Sequence, residues 1–153
     1  MKTYLETLTV GNRYLFDTTV FIGLLRNRKR AKDFHYQKRF LQIFVGYSII
    51  TETELWVGMK FPRTESQHTE VLRVYHRYFI NVTIARNAGM FMGKFMSDGL
   101  STQQKTLPPI TDCLIAATAQ FYNLRLVSND KHAPLFRQFG VFVDEYQDVE
   151  NAP

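Results

Sequence analysis

Ile110–Asp130 reads ITDCLIAATAQFYNLRLVSND. The first half is a helix of small residues headed by Asp112, and the second is a short turn, a β-strand and a further acid, Asp130, just beyond the strand. A helix followed at once by an apolar strand is the repeating unit of a parallel sheet. In such sheets ligands bind beyond the carboxyl ends of the strands, so both acids fall where chemistry is expected. Cys113, Ala116, Ala117 and Ala119 are small enough to let the helix approach the sheet closely.

Outward from this unit the pattern repeats. Arg13–Phe16 predicts a short buried strand that stops at Asp17, and 18–28 a helix with Val20, Phe21, Leu24 and Leu25 as its apolar stripe. A second helix is expected over 33–45, with Phe34, Phe40, Leu41 and Phe44 turned inward and Gly46 after it. Residues 47–50 predict a second strand, followed by Thr51-Glu52-Thr53-Glu54 and a helix to about Met59; Pro62 ends it. A further helix is expected over 64–78, a third strand over 80–83 and a helix over 84–97. The polar stretch 98–109, closed by Pro108-Pro109, reads as a loop; a short helix over 134–139 and a strand over 141–143 finish the pattern. Strands alternating with helices predict an α/β protein, a three-layer α/β/α sandwich around a parallel sheet.

Composition sets the outer bounds. The 153 residues, 45% of them hydrophobic, are expected to form a single domain over 1–153 with a sizeable core. A single cysteine, Cys113, excludes an intrachain disulfide and any cysteine-cluster zinc site. No apolar run approaches the roughly 20 residues of a membrane-spanning helix, and the expectation is a soluble, cytoplasmic protein without a membrane partner. The net charge of +5 is uneven: Asp144, Glu145, Asp148 and Glu150 make an acidic tail over 144–153, so residues 1–143 carry 19 basic against 10 acidic side chains. The densest basic stretch holds Arg26, Arg28, Lys29, Arg30, Lys32, Lys38 and Arg39. It is either a solvated helix face or a polyanion-attracting field, nucleic acid first among its partners.

Four acids stand at strand ends or helix starts: Asp17, Glu54, Asp112 and Asp130. Each has a local explanation. Asp17 suits an N-cap, Glu54 completes a capping box with Thr51, Asp112 favours the positive end of its helix, and Asp130 is an ordinary turn residue. Together they carry a second meaning, because Asp17, Glu54 and Asp130 each follow an expected strand and so reach one edge of one sheet. Carboxylates gathered there repel one another unless protonated or bound to cations. Hard oxygen donors without histidine or cysteine point to Mg²⁺, with Mn²⁺ as the other choice. His35, His68, His76 and His132 show no metal-ligand spacing and read as surface or packing residues. A carboxylate-held cation in a basic protein suits phosphodiester hydrolysis.

Three stretches, YLFDTTVFIGLL (14–25), SIITETELWVG (48–58) and TDCLIAATAQFYNLRLVSND (111–130), resemble the signature blocks of PIN-domain ribonucleases, most closely the VapC-type toxins of bacterial toxin–antitoxin systems. They span about 43 of 153 residues, and the separations between acids, 37, 58 and 18 residues, also suit that family. The resemblance implies a five-stranded parallel sheet and a Mg²⁺-dependent endoribonuclease. It makes Asp17, Glu54, Asp112 and Asp130 the catalytic and metal-binding acids, with Thr19, Ser128 and Asn129 in support. It also implies an RNA substrate, a homodimer and a cognate antitoxin protein, for which Trp56, Met59 and Phe61 offer an apolar face if they are not core. Two departures stand out: KHAP follows Asp130 where the family commonly has an aromatic residue, and the 98–109 loop is long. The rival readings are a PIN-like RNA-processing nuclease outside any toxin pair, a catalytically silent RNA-binding scaffold, and a phosphoacceptor receiver domain. The last would need an acid beside Asp17, and none is there.

Overall fold

The computed structural model describes residues 13–26, 44–58, 65–99 and 106–145. Its centre is a sheet of five parallel strands: β1 (Arg13–Phe16), β2 (Phe44–Ser48), β3 (His76–Tyr78), β4 (Arg125–Ser128) and β5 (Val143–Glu145). Their order is β3-β2-β1-β4-β5, with Tyr14 opposite Val45 on one side and Arg125 on the other. Among the described residues the helices between them are α1 (Thr18–Leu25), α2 (Ile49–Val57), α3 (Glu65–Leu72), α4 (Val82–Ser97) and α5 (Ile110–Phe121), and a 3₁₀ segment, Ala133–Phe139, precedes β5. Among the described residues no helix is long and apolar enough to cross a membrane.

Alternation along the strands makes two cores. Tyr14, Phe16, Val45, Tyr47 and Val127 point to one face and pack with Val20 and Phe21 of α1, Leu55 of α2 and Leu72 of α3. Leu15, Leu126 and Val143 point to the other, against α4, α5 and Phe136 of the 3₁₀ segment. Helices on both faces of a parallel sheet make the expected three-layer sandwich. The small residues of α5 serve as expected: Cys113, Ala116, Ala117 and Ala119 are fully buried.

Several expected boundaries shift. The second strand is Phe44–Ser48, not 47–50, because Ser48 caps α2 by accepting from the Ile50 backbone N–H at 3.3 Å, which pulls Ile49 and Ile50 into the helix. The expected capping box of Thr51 and Glu54 is therefore absent, and Thr51 is a buried helix residue. Gly46 lies inside β2, and Phe44 is exposed at its start rather than turned inward. Of the helix expected over 33–45, residues 33–43 lie outside the described residues. The helix expected over 64–78 stops at Leu72, and its last residues form β3. The third strand is therefore not 80–83: Asn81 there caps α4, accepting from the Ile84 N–H at 2.9 Å. The last strand is Val143–Glu145 rather than 141–143, and it takes up the first two acids of the expected tail. Asp144 binds Arg125 through two hydrogen bonds of 3.0 and 2.6 Å, and Glu145 lies 3.7 Å from Arg137. Of the basic stretch, only Arg26 is among the described residues.

Candidate metal centre

β1 and β4 are neighbours at the middle of the sheet, and their ladder continues one residue past the strands, where the Asp17 N–H donates to the Val127 carbonyl at 2.9 Å. Asp17 thus sits at the carboxyl edge of the central strand, 7% exposed, as the N-cap of α1. The local expectation of a cap holds. One carboxylate oxygen accepts from the Thr18 N–H, and the other accepts from the Ser128 hydroxyl and, at 3.4 Å, from the Thr19 hydroxyl. Ser128 Oγ also accepts from the Asp130 N–H at 3.0 Å, so one side chain ties Asp17 to Asp130.

Glu54 reaches the same edge from α2. Its Oε2 accepts from the Thr18 hydroxyl, which is 3.1 Å from the Thr51 hydroxyl. Asp112 comes from the first turn of α5, with its side chain 18% exposed. The four expected acids act on one another at this edge. Burial, opposed by the bonds from Ser128 and Thr18, raises the Asp17 pKa to about 6, with Glu54 and Asp130 adding to the rise. Burial raises Asp112 to about 7, reinforced by Asp17, Asp130 and Glu54. Asp17, Asp112 and Asp130 line a recess whose walls are Ile115, Leu126, Ala133 and Phe136.

The supporting residues contribute in different ways. Thr19 Oγ1 accepts from the Asn129 backbone N–H at 3.0 Å, so Asn129 takes part through its backbone. Thr18, absent from the expected set, holds Glu54 directly. His132, read from sequence as a surface or packing residue, lies beside two of these acids. Its Nδ1 lies 3.1 Å from Asp130 Oδ1, and Asp112, Asp130 and His132 each offer a ligand atom within 4.8 Å of the others. The sequence signal was its position two residues after Asp130: the His132 backbone N–H donates to Asp130 Oδ1 at 2.7 Å, which folds the turn back and turns the ring inward. His68 does fit the packing reading, buried against Trp56 with ring centroids 5.4 Å apart, and His76 is exposed.

A set of carboxylate oxygens with one imidazole, partly buried and oriented by hydroxyl donors, is a donor set that can hold a divalent cation. Without one, burial first and the neighbouring carboxylates second favour the protonated acids, which is the direction in which Asp17 and Asp112 are shifted. Trp56 of α2 is half exposed and Val57 almost fully so, whereas Met59 and Phe61 lie outside the described residues. Residues 100–105 of the 98–109 loop also lie outside them.

The PIN domain family model matches residues 14–140. A chain in a toxin–antitoxin complex from Klebsiella pneumoniae is similar at 25% identity, with a TM-score of 0.60 over 76% of this chain and 86% of that one. VapBC2 from Rickettsia felis, solved with a DNA fragment from its promoter, gives 16% identity and a TM-score of 0.66 over 88% and 98% of the two chains. VapBC-1 from nontypeable Haemophilus influenzae gives 18% and 0.63 over 86% and 96%. No curated protein matches this chain significantly. The family model spans four of the five strands and Asp17, Glu54, Asp112 and Asp130, and the chain belongs to the PIN domain family, a family of nucleases, with the fold of chains found in VapBC toxin–antitoxin complexes.

Proposed function

We propose that this protein is a Mg²⁺-dependent endoribonuclease, with Mn²⁺ as an alternative cation, and that it acts as the toxin of a type II toxin–antitoxin pair. The observation that carries the reading is the convergence of Asp17, Glu54, Asp112 and Asp130 on one sheet edge, where burial and mutual repulsion push Asp17 and Asp112 far above an ordinary carboxyl pKa. When bound, a divalent cation supplies charge neutralisation at a phosphate and a lowered pKa for water.

The chain's own residues prepare that site. Ser128, Thr19 and the Thr18 backbone N–H fix Asp17, the Thr18 hydroxyl fixes Glu54, and Ser128 sets the spacing of Asp17 and Asp130. Ile115, Leu126, Ala133 and Phe136 give the recess apolar walls, and charge interactions are stronger beside apolar surface than in water. The net charge of +5 favours a polyanionic substrate. The toxin–antitoxin complexes among the similar structures support an antitoxin partner, and a homodimer in the cytoplasm remains part of the same reading.

The test is cleavage of a mixed RNA pool by purified protein. Activity should need Mg²⁺ or Mn²⁺, stop with EDTA, and fall by at least about 100-fold in Asp17→Asn and Asp112→Asn, the scale of losing a transition-state electrostatic group. Wild-type rates in the double variant, with contaminating nuclease excluded, would sink the assignment. Growth arrest on expression that vanishes in Asp17→Asn supports the toxin role; arrest that persists removes it. A small neighbouring reading frame encoding a DNA-binding protein separates the toxin from an RNA-processing nuclease.

A further inference from the structure

His132 occupies a position that neither charge pairing nor packing accounts for. Its Nδ1 is buried and has no hydrogen-bond partner among the described residues, although Asp130 Oδ1 lies 3.1 Å away and Asp112 Oδ2 3.9 Å away. The nearer oxygen is close enough to accept a proton from the ring but lies off the direction in which the ring would donate it. A protonated imidazole neutralising these acids would aim its N–H at one of them. On its far side the ring is held: Nε2 is 3.0 Å from the Thr106 hydroxyl. With Nε2 donating to Thr106, Nδ1 carries a lone pair, directed into a space bordered by two carboxylates. Histidines that bind metals are held in this manner, one nitrogen on the metal and the other on an outer partner.

Resting on the reading of this edge as a cation centre, we propose that His132 Nδ1 is a direct ligand of the cation, with Asp112 and Asp130, and that this nitrogen tips the centre's preference from Mg²⁺ toward Mn²⁺. The chemistry follows from ligand type. Mg²⁺ takes oxygen donors and keeps its water, whereas first-row transition ions accept imidazole readily. A carboxylate-only cup has little basis for separating the two ions, and one nitrogen provides it. Thr106 is then a positioning residue, setting the tautomer and the ring plane.

Mn²⁺ binding, followed by electron paramagnetic resonance without RNA, tests this apart from catalysis. Wild-type protein with Mn²⁺ should show nitrogen hyperfine coupling in pulsed spectra, lost in His132→Gln and kept in His76→Gln. His132→Gln should weaken Mn²⁺ about tenfold or more and weaken Mg²⁺, measured by competition, distinctly less. Thr106→Val should keep the coupling while weakening Mn²⁺ about tenfold, the scale of losing an outer partner. Mn²⁺ bound to wild type without nitrogen coupling overturns the inference and leaves the cation centre standing. Failure of wild type to bind either ion overturns both. The coupling is read on wild type, so the result does not depend on how any variant folds.

Discussion

Asp17 and Asp112 have folded-state pKa values of about 6 and about 7, against an unfolded value of 3.8 for each. Between those limits the folded protein holds protons that the unfolded chain has released. The stabilisation associated with the bound proton is complete below pH 4 and is lost as pH rises through 6 and 7. In EDTA the wild type should therefore be less stable at pH 8 than at pH 5. Asn in place of Asp17 or Asp112 should recover about 3 or about 4 kcal/mol respectively at pH 8, an order of magnitude from about 1.4 kcal/mol per pKa unit over these rises, and about half as much or less at pH 5. Asn caps a helix as well as Asp does, so a purely structural Asp17 predicts no such gain; melting curves at the two pH values decide. Ser128→Ala should reduce cation affinity or activity by about 10- to 100-fold without unfolding the chain, because Ser128 Oγ serves Asp17 and Asp130 together; equal Mn²⁺ binding by the variant would contradict it. The acids were legible in sequence because strand ends and helix starts can be found by pattern. Thr18 and His132 were not: Thr18 meets Glu54 only once β1 and β2 are known to be neighbours, and the inward turn of His132 depends on a backbone bond to Asp130.

At the scale of elements, β2 and β3 are where sequence and structure part. Gly46 reads as a helix stop, yet it lies mid-strand for a reason that appears only when β3 is in place. A Cβ there would strike the Tyr78 ring and stand 2.6 Å from the His76 carbonyl oxygen. Gly46→Ala should destabilise by about 1–3 kcal/mol, the usual cost of overpacking, seen as a lower denaturant midpoint with an unchanged slope. A neutral result would mean that β3 pairs less closely than the register Gly46 opposite His76 requires. β3 has only three residues, two of them exposed, so it carries no apolar run by which a strand is recognised. The central strands, RYLF and RLVS, were legible because both faces are buried, which leaves near-continuous apolar runs. Asn81 offers a cleaner check on α4: Asn81→Ala should cost about 1 kcal/mol through loss of its bond to the Ile84 N–H. An unchanged melting temperature would place the start of the helix elsewhere.

For the whole molecule, a chain of net charge +5 carries four acids concentrated at one sheet edge, so polyanion and cation should bind with opposite dependence on those acids. Cation binding adds stability as RT ln(1 + [L]/Kd), about 2.7 kcal/mol at a hundredfold excess over Kd. Mn²⁺ at that excess should therefore raise the melting temperature of the wild type by several degrees, and that of the Asp17→Asn/Asp112→Asn protein by little. RNA binding should behave in the reverse way, because the double variant removes two negative charges from the edge that a phosphate approaches. A single-stranded oligonucleotide should bind this inactive protein at least as tightly as it binds metal-free wild type. Its affinity should fall with salt at a logarithmic slope of about −0.7 for each phosphate neutralised, or about −3.5 for roughly five contacts. A slope near zero would show that the positive charge is not the substrate surface, and weaker RNA binding by the double variant would show that the acids hold RNA rather than repel it. The two titrations, run on the same two proteins, separate a site that binds RNA through a cation from a basic surface that binds RNA without one.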